Sequence, residues 1–402
     1  MRDLSPLIAE ALPALTALRH EIHQHPERSF HEHATAERVA QRLATLPGMS
    51  VRTGLATTGV VATLDAGKSG PCVALRADMD ALPLAEATGL PYASRVTGTA
   101  HACGHDGHVA CLVGAAQVLS AIRDELRGPV LFIFQPAEEN GGGGRLLCDA
   151  GVLDTPPAAA IFALHAWPAL PVGTIGVCPG PAMAATDTVE IAISGAGTHA
   201  AAPHRGVDPI LVAAHMVTAL QSVVSRTLDP VQPAVLTIAQ IEAGTTHNVI
   251  PDRAVLRGTL RTLTADARAQ AAAAISRIAE HTAQAFGAHA DARIIPGYPV
   301  LVNEARAAAH VLQVGRDTLG PDAAQTLPAS LGGEDFAYYL QRVPGAIWRL
   351  GVRAPKAVDV VPLHSPRFDF ADAAIPVGVR LHCEIVRRYG ADAGMAGKVI
   401  GQ

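Results

Sequence analysis

Aromatic side chains are scarce in this chain, 4% of 402 residues, and neither sign of charge dominates: 31 Lys and Arg face 36 Asp and Glu, for a formal net charge of −5. A core must therefore come mostly from Ala, Val, Leu and Ile. No basic field exists to gather nucleic acid or anionic lipid. Cysteine is sparse too, with six residues in no framework spacing, which argues against a disulfide-stapled secreted scaffold. No stretch approaches the roughly 18 consecutive apolar residues of a membrane span. The apolar residues Leu4, Leu7, Ile8, Leu12, Leu15 and Leu18 are interrupted by Glu10, and their spacing of threes and fours continues to Ile22. That pattern is an amphipathic helix rather than a signal peptide. The expectation is a cytoplasmic protein with no membrane or nucleic-acid partner.

Several common chemistries lack their signatures. Gly141–Gly144 is glycine-rich, but no Gly-Lys-Ser/Thr follows, so it is not a phosphate loop. Gly195-Ala196-Gly197 lacks the third glycine of a dinucleotide fingerprint. No Gly-x-Ser-x-Gly elbow marks a serine nucleophile.

What is present suggests two domains, as a length of 402 residues already implies. Helices are expected over 4–25 and 31–46, separated by Pro26, then strands at 51–52, 60–64 and 73–76. A helix is expected from about His108 to Ile122, followed by buried strands at 130–134 and 158–164. Such alternation predicts an α/β domain with a largely parallel sheet. After about residue 184 the order becomes strand (187–194), helix (209–226), two strands (234–241 and 254–261), helix (265–286), strand (292–295). This is an α+β arrangement of ferredoxin-like type. The helix-rich pattern then returns, with a strand at 346–350 and a last helix from Ala373. The simplest organisation is one domain, 1–184 and 298–402, interrupted by another, 185–297.

The densest chemical signal is His101-Ala102-Cys103-Gly104-His105-Asp106-Gly107-His108. Thiolate, imidazole and carboxylate are ligands for zinc and its neighbours, and glycines let backbone fold tightly round an ion. The alternative is a polar turn with one histidine capping the helix. Cys103 and His105 are the preferred ligands, with His108 left to helix packing. The second signal is Gln135-Pro136-Ala137-Glu138-Glu139-Asn140, at the C-terminal end of a buried strand, where ligands collect in open parallel sheets. Adjacent carboxylates diverge, so one can hold metal while the other takes a proton from water. A solvated acidic turn is the competing reading. His165, in Leu164-His165-Ala166-Trp167-Pro168, and His364, in Leu363-His364-Ser365-Pro366, follow predicted strands or precede the last helix. Each alone is as consistent with a hydrogen-bonded structural histidine; together with the two clusters they complete a five-ligand set.

The chain closely resembles the hippurate hydrolase and N-acyl-amino-acid amidohydrolase family, which includes the plant auxin-conjugate hydrolases. The matching segments run from Arg19-His20-Glu21-Ile22-His23-Gln24-His25-Pro26-Glu27 and Arg76-Ala77-Asp78-Met79-Asp80-Ala81-Leu82-Pro83 through the Cys103 and Glu138 clusters. They end with Gly332-Gly333-Glu334-Asp335-Phe336 and Leu363-His364-Ser365-Pro366-Arg367. The resemblance implies a zinc-metallopeptidase-type α/β catalytic domain with an inserted lid domain that usually mediates dimerisation. It implies two divalent metal ions (Mn, Zn, Ni or Co) held by Cys103, His105, Glu139, His165 and His364, with Glu138 as general base. In the lid, Gly197-Thr198-His199-Ala200-Ala201-Ala202-Pro203-His204 resembles the family's histidine segment, making His199 an oxyanion donor that reaches a partner subunit, with His204 beside it. Asn248 and Arg261 match positions that grip a substrate carboxylate, a group suited to an arginine fork. The implied reaction is hydrolysis of an N-acyl-amino acid, N-benzoylglycine being one example, to a carboxylic acid and an amino acid. The rivals are a dipeptidase or carboxypeptidase on the same scaffold and, from another class, a silent binding protein.

Overall fold

In the computed structural model, residues 2–354 and 359–389 are described. The chain divides into two compact units: Met1–Gly180, Val302–Pro328 and Tyr338–Gln402 form the first, Pro181–Leu301 and Ala329–Ala337 the second. The boundaries fall a few residues outside the expected 185–297. The segment Ala329–Ala337, expected with the first domain, groups with the second.

The first unit is built on an eight-stranded mixed sheet. In spatial order its strands are Met49–Leu55, Gly59–Leu64, Val130–Gln135, Cys72–Asp78, Ala158–Pro171, Gly345–Arg353, Ile175–Val177 and Ala324–Thr326. The four central strands run parallel to one another, while Gly59–Leu64 and Ile175–Val177 pair antiparallel on either side of them. Val130–Gln135 and Cys72–Asp78 are buried throughout, which explains their continuous apolar sequence where an exposed strand would alternate. Helices Ser5–Gln24, His105–Ala121 and Ile375–Arg388 pack together on this sheet. Gly114 makes their close approach possible, since a Cβ there would lie 2.6 Å from Leu15 and Val379. The helix expected from His108 begins at His105 instead. Gly104, at φ 90°, turns the chain sharply enough to start it three residues earlier, a conformation open to glycine without steric cost.

The second unit is a four-stranded antiparallel sheet in the order Ala234–Ala243, Arg253–Thr262, Ala185–Ser194, His289–Pro296. Helices Pro209–Ser222 and Ala265–Ala285 complete the ferredoxin-like strand–helix–strand–strand–helix–strand order. The helical stretch Pro209–Thr227 is long and apolar enough to cross a membrane by length and composition, contrary to expectation. Here Val212, Ala213, Met216, Leu220 and Val223 belong to the unit's own core. Its helix start is fixed by Asp208, whose carboxylate accepts the N–H groups of Ile210 and Leu211.

Candidate metal centre and active site

The proposed ligands come from strands of the first unit's sheet and from the connections between its elements, His364 from the connection before the last helix. Cys103 precedes the helix that His105 opens; Glu138 and Glu139 follow the strand Val130–Gln135; His165 lies in the strand Ala158–Pro171. The donor atoms of Cys103, His105 and His165 all lie within 4.8 Å of one another, and so do those of Cys103, Glu139 and His364. The two triads therefore share Cys103. His105, Glu138 and Glu139 form a third such group. Cys103 Sγ is 3.6 Å from His165 Nε2, and His364 Nε2 is 3.2 Å from Glu139 Oε1.

The hydrogen bonds around these residues turn Nδ1 of two ligand histidines away from the centre. His105 Nδ1 is 2.8 Å from the Asp80 carbonyl oxygen, and His165 Nδ1 is 2.9 Å from that of Ala166. An imidazole donating from Nδ1 presents a lone pair at Nε2, the arrangement of a metal-binding histidine. His105 Nε2 and Glu139 Oε1 are buried with no hydrogen-bond partner. Buried polar atoms without partners are costly. An ion between them satisfies both, and one thiolate, three imidazoles and one carboxylate suit borderline-soft divalent ions. The residues present thus fit a two-metal group.

Electrostatics distinguish the histidines. Burial lowers His165 and His108 to about 4. Burial also opposes charge on His105, but Asp78 and Asp80 outweigh it and lift the group to about 10. The Cys103 thiol is pushed up by burial and then by Glu139 and Glu138. A divalent ion reverses this balance, because cysteine binds as thiolate and histidine as neutral imidazole. His108, by contrast, has both nitrogens engaged: Nδ1 with Asp78 at 2.6 Å, while Nε2 accepts the Ala166 N–H at 2.8 Å. Through these bonds it ties the strand Cys72–Asp78 to the strand that carries His165. His101 belongs to none of the triads.

Two groups went unassigned in the sequence. Asp80 accepts the N–H of Glu138 at Oδ1 and that of Glu139 at Oδ2, both at 3.0 Å, and the Ser29 hydroxyl at 2.7 Å. Asp78 accepts from Arg76 at 2.7 Å and touches His108. The available signal was Asp78-Met79-Asp80 at the end of a buried strand. Backbone strain gathers here as well, with Ala137 at φ 54° and His364 at φ 62°.

The second unit holds its candidates more loosely. His199 lies on a two-residue strand, Thr198–His199, opposite Val249. Its Nδ1 accepts the Ala201 N–H at 3.0 Å, so the ring proton sits on the exposed Nε2 side. Asn248 is brought near by the same pairing, its carbonyl accepting the Ala200 N–H at 3.1 Å. Its side-chain oxygen accepts the Thr246 hydroxyl at 3.0 Å. His204 stands exposed on the turn Pro203–Arg205. Arg261, half-buried on Arg253–Thr262, bonds among the described residues the Leu260 carbonyl alone, at 3.3 Å.

A parallel sheet edge that gathers two overlapping ligand triads beside a second buried carboxylate defines a metallohydrolase scaffold. The chain belongs to the peptidase family M20/M25/M40, whose model matches residues 74–388. It is 40% identical to the N-acetylcysteine deacetylase of Bacillus subtilis over 92% of this chain and 95% of that one. It is 36% identical to the IAA-amino acid hydrolase ILR1-like 4 of Arabidopsis thaliana, over 93% and 85%. Among solved structures, the Bacillus subtilis YXEP protein, described as a dinuclear metal binding peptidase of the M20 family, superposes with a TM-score of 0.82. That match has 36% identity and covers 94% of this chain and 98% of that one.

Proposed function

We propose that this protein is a metal-dependent amidohydrolase that cleaves N-acyl-amino acids to a carboxylic acid and an amino acid. The observation that carries this reading is the pair of triads sharing Cys103, with Glu138 grouped beside His105 and Glu139. Cys103, His105, Glu139, His165 and His364 would hold two divalent ions, which supply Lewis-acid polarisation of the amide carbonyl and acidify water. Glu138 takes a proton from the attacking water, and returns it to the leaving nitrogen as the C–N bond breaks. His199 donates from Nε2 to the oxyanion that develops on the carbonyl oxygen. Arg261 and Asn248 bind the amino-acid carboxylate, and His204 lies beside them in this assignment. Support for Arg261 comes from its half-buried guanidinium, which makes no ion pair among the described residues.

In this reading His199 serves the active site of a partner subunit in a homodimer. Support comes from the second unit, where the edge strand Ala234–Ala243 exposes Val235 and Ile241 and the helix from Pro209 exposes Ile210 and Leu211. Six free cysteines agree with a cytoplasmic setting. For the metal, a thiolate favours zinc among Mn, Zn, Ni and Co.

The test is amine release from N-acetyl-, N-benzoyl- and indole-acyl-amino acids beside unmodified dipeptides. Stripped protein would be reloaded with Mn, Zn, Co or Ni singly. Metal-restored cleavage of the acylated compounds is expected. Cleavage of dipeptides alone would shift the assignment to a peptidase, and silence with every metal would support a binding protein.

A further inference from the structure

Glu32 is fully buried in the connection between the first two helices, and neither the ligand set nor the base accounts for it. Its carboxylate receives three donors from three separate chain segments. Oε1 accepts the N–H of Phe30 at 3.0 Å and that of Ala137 at 2.9 Å. Oε2 accepts the Thr58 hydroxyl at 2.6 Å. Each of those segments is conformationally unfavourable. Among the described residues, five non-glycine positions have positive φ: Phe30 at 65°, Ala56 at 46°, Thr57 at 83°, Ala137 at 54° and His364. Four of the five thus sit at Glu32's partners or one or two residues before them. Left-handed backbone at residues with a Cβ persists only where surrounding contacts over-determine it.

The third segment is the one that matters chemically, since Ala137 immediately precedes Glu138. Its N–H goes to Glu32, and the next two N–H groups go to Asp80. Three consecutive amides are therefore pinned by two buried carboxylates. Phe30 adds a steric stop, because a Cβ on Gly141 would lie 2.3 Å from its ring. The strap carrying Ser29, Phe30 and Glu32 thereby touches the catalytic turn directly at Ala137, through Asp80 at Glu138 and Glu139, and by packing at Gly141.

We propose that Glu32 is a positioning residue that holds Ala137 in its left-handed conformation and so aims the Glu138 carboxylate; this rests on the role of Glu138 in the reading above. Without the Glu32 acceptor, Ala137 relaxes to negative φ and the carboxylate that follows is re-aimed, at little cost to the ligands fixed elsewhere. A misplacement of about 1 Å at a catalytic group can cost roughly 10²-fold in rate.

The experiment compares Glu32→Gln and Glu32→Ala in metal-loaded enzyme, measuring kcat, KM, metal content and Tm. The amide keeps the shape and one acceptor, so kcat should fall about tenfold in Glu32→Gln and about 10²-fold in Glu32→Ala, with metal content and KM near wild type. Adding Ala137→Gly to Glu32→Gln should recover about threefold in kcat, because glycine holds positive φ without help. Glu27→Gln supplies the stability control. Its carboxylate caps the second helix through Ala34 and Thr35, so Tm should fall while kcat stays. Should Glu32→Ala not fold, the glutamine series carries the comparison. Full kcat in Glu32→Gln, or a loss that Glu27→Gln shares and Ala137→Gly leaves untouched, would overturn the proposal. An active Glu138→Gln would overturn the assigned base and this inference with it.

Discussion

Glu138 and Glu139 hang from a turn whose amides are fixed by buried carboxylates, and their neighbours have few alternatives to the positions they occupy. His199, His204 and Asn248 stand exposed on a two-residue strand, a short turn and a loop, held by local backbone bonds. The first unit keeps its polar groups in low dielectric, where every unmade bond is costly. The second leaves its polar groups in water, where orientation costs little and gains little. The contrast separates two jobs. In the proposed reading a metal centre must be ready before substrate arrives, while His199, His204 and Asn248 would be ordered by the encounter.

The strongest way to break that contrast is at Glu138. Glu138→Gln should lower kcat by roughly 10²–10⁴-fold while metal content, measured by elemental analysis, stays at two ions per chain. Glu139→Ala should lose both metal and activity. If Glu138→Gln lost its metal as well, the separation of base from ligand would be wrong. His199→Ala should cost about 10²-fold in kcat with metal content and Tm unchanged, since the residue is exposed and makes one local bond. A drop in Tm would show that the second unit is as tightly built as the first. Arg261→Ala should act on KM, raising it about tenfold or more. Removing the carboxylate from the substrate should erase the difference between this variant and wild type.

The smallest effect expected is on pH dependence. His23 is buried among Asp106, Glu86, Tyr92, His101 and Arg19. Burial alone would lower its pKa; Asp106 and Glu86 outweigh that and raise it to about 10. A raised folded-state value means the folded state binds the extra proton. The stabilisation is fully present below the unfolded value near 6.5 and is lost as pH rises through 10. Wild-type Tm should therefore decline between pH 7 and 10, and His23→Gln should flatten that decline. An equally steep slope in the variant would place the proton elsewhere.

The metal centre was readable in the sequence because its densest parts are contiguous. Residues 101–108 and 135–140 each concentrate ligand chemistry at the end of a predicted element. The ferredoxin-like order was readable because the strands Ala185–Ser194 and Arg253–Thr262 alternate and two long helical runs separate the strands. Elements such as Ile175–Val177 and Ala324–Thr326 are too short to show a period. Asp80 and Glu32 carry no local sign of their hold on the turn at 137–139, because those bonds run 58 to 105 residues along the chain. His199 gained little from the fold: its tautomer is set by Ala201, yet nothing in the second unit alone says what its free nitrogen meets.

Asp80 binds two successive amides with one carboxylate, and this has a consequence for how such a protein can change over time. Base and ligand hang from successive amides on one carboxylate, so a change at Asp80 reaches both, whereas Glu32 holds only the Ala137 amide ahead of them. Ion preference and turnover number cannot then be tuned independently through Asp80. The exposed residues of the second unit carry no such linkage, because His199 and Asn248 are each held by bonds to their own neighbours.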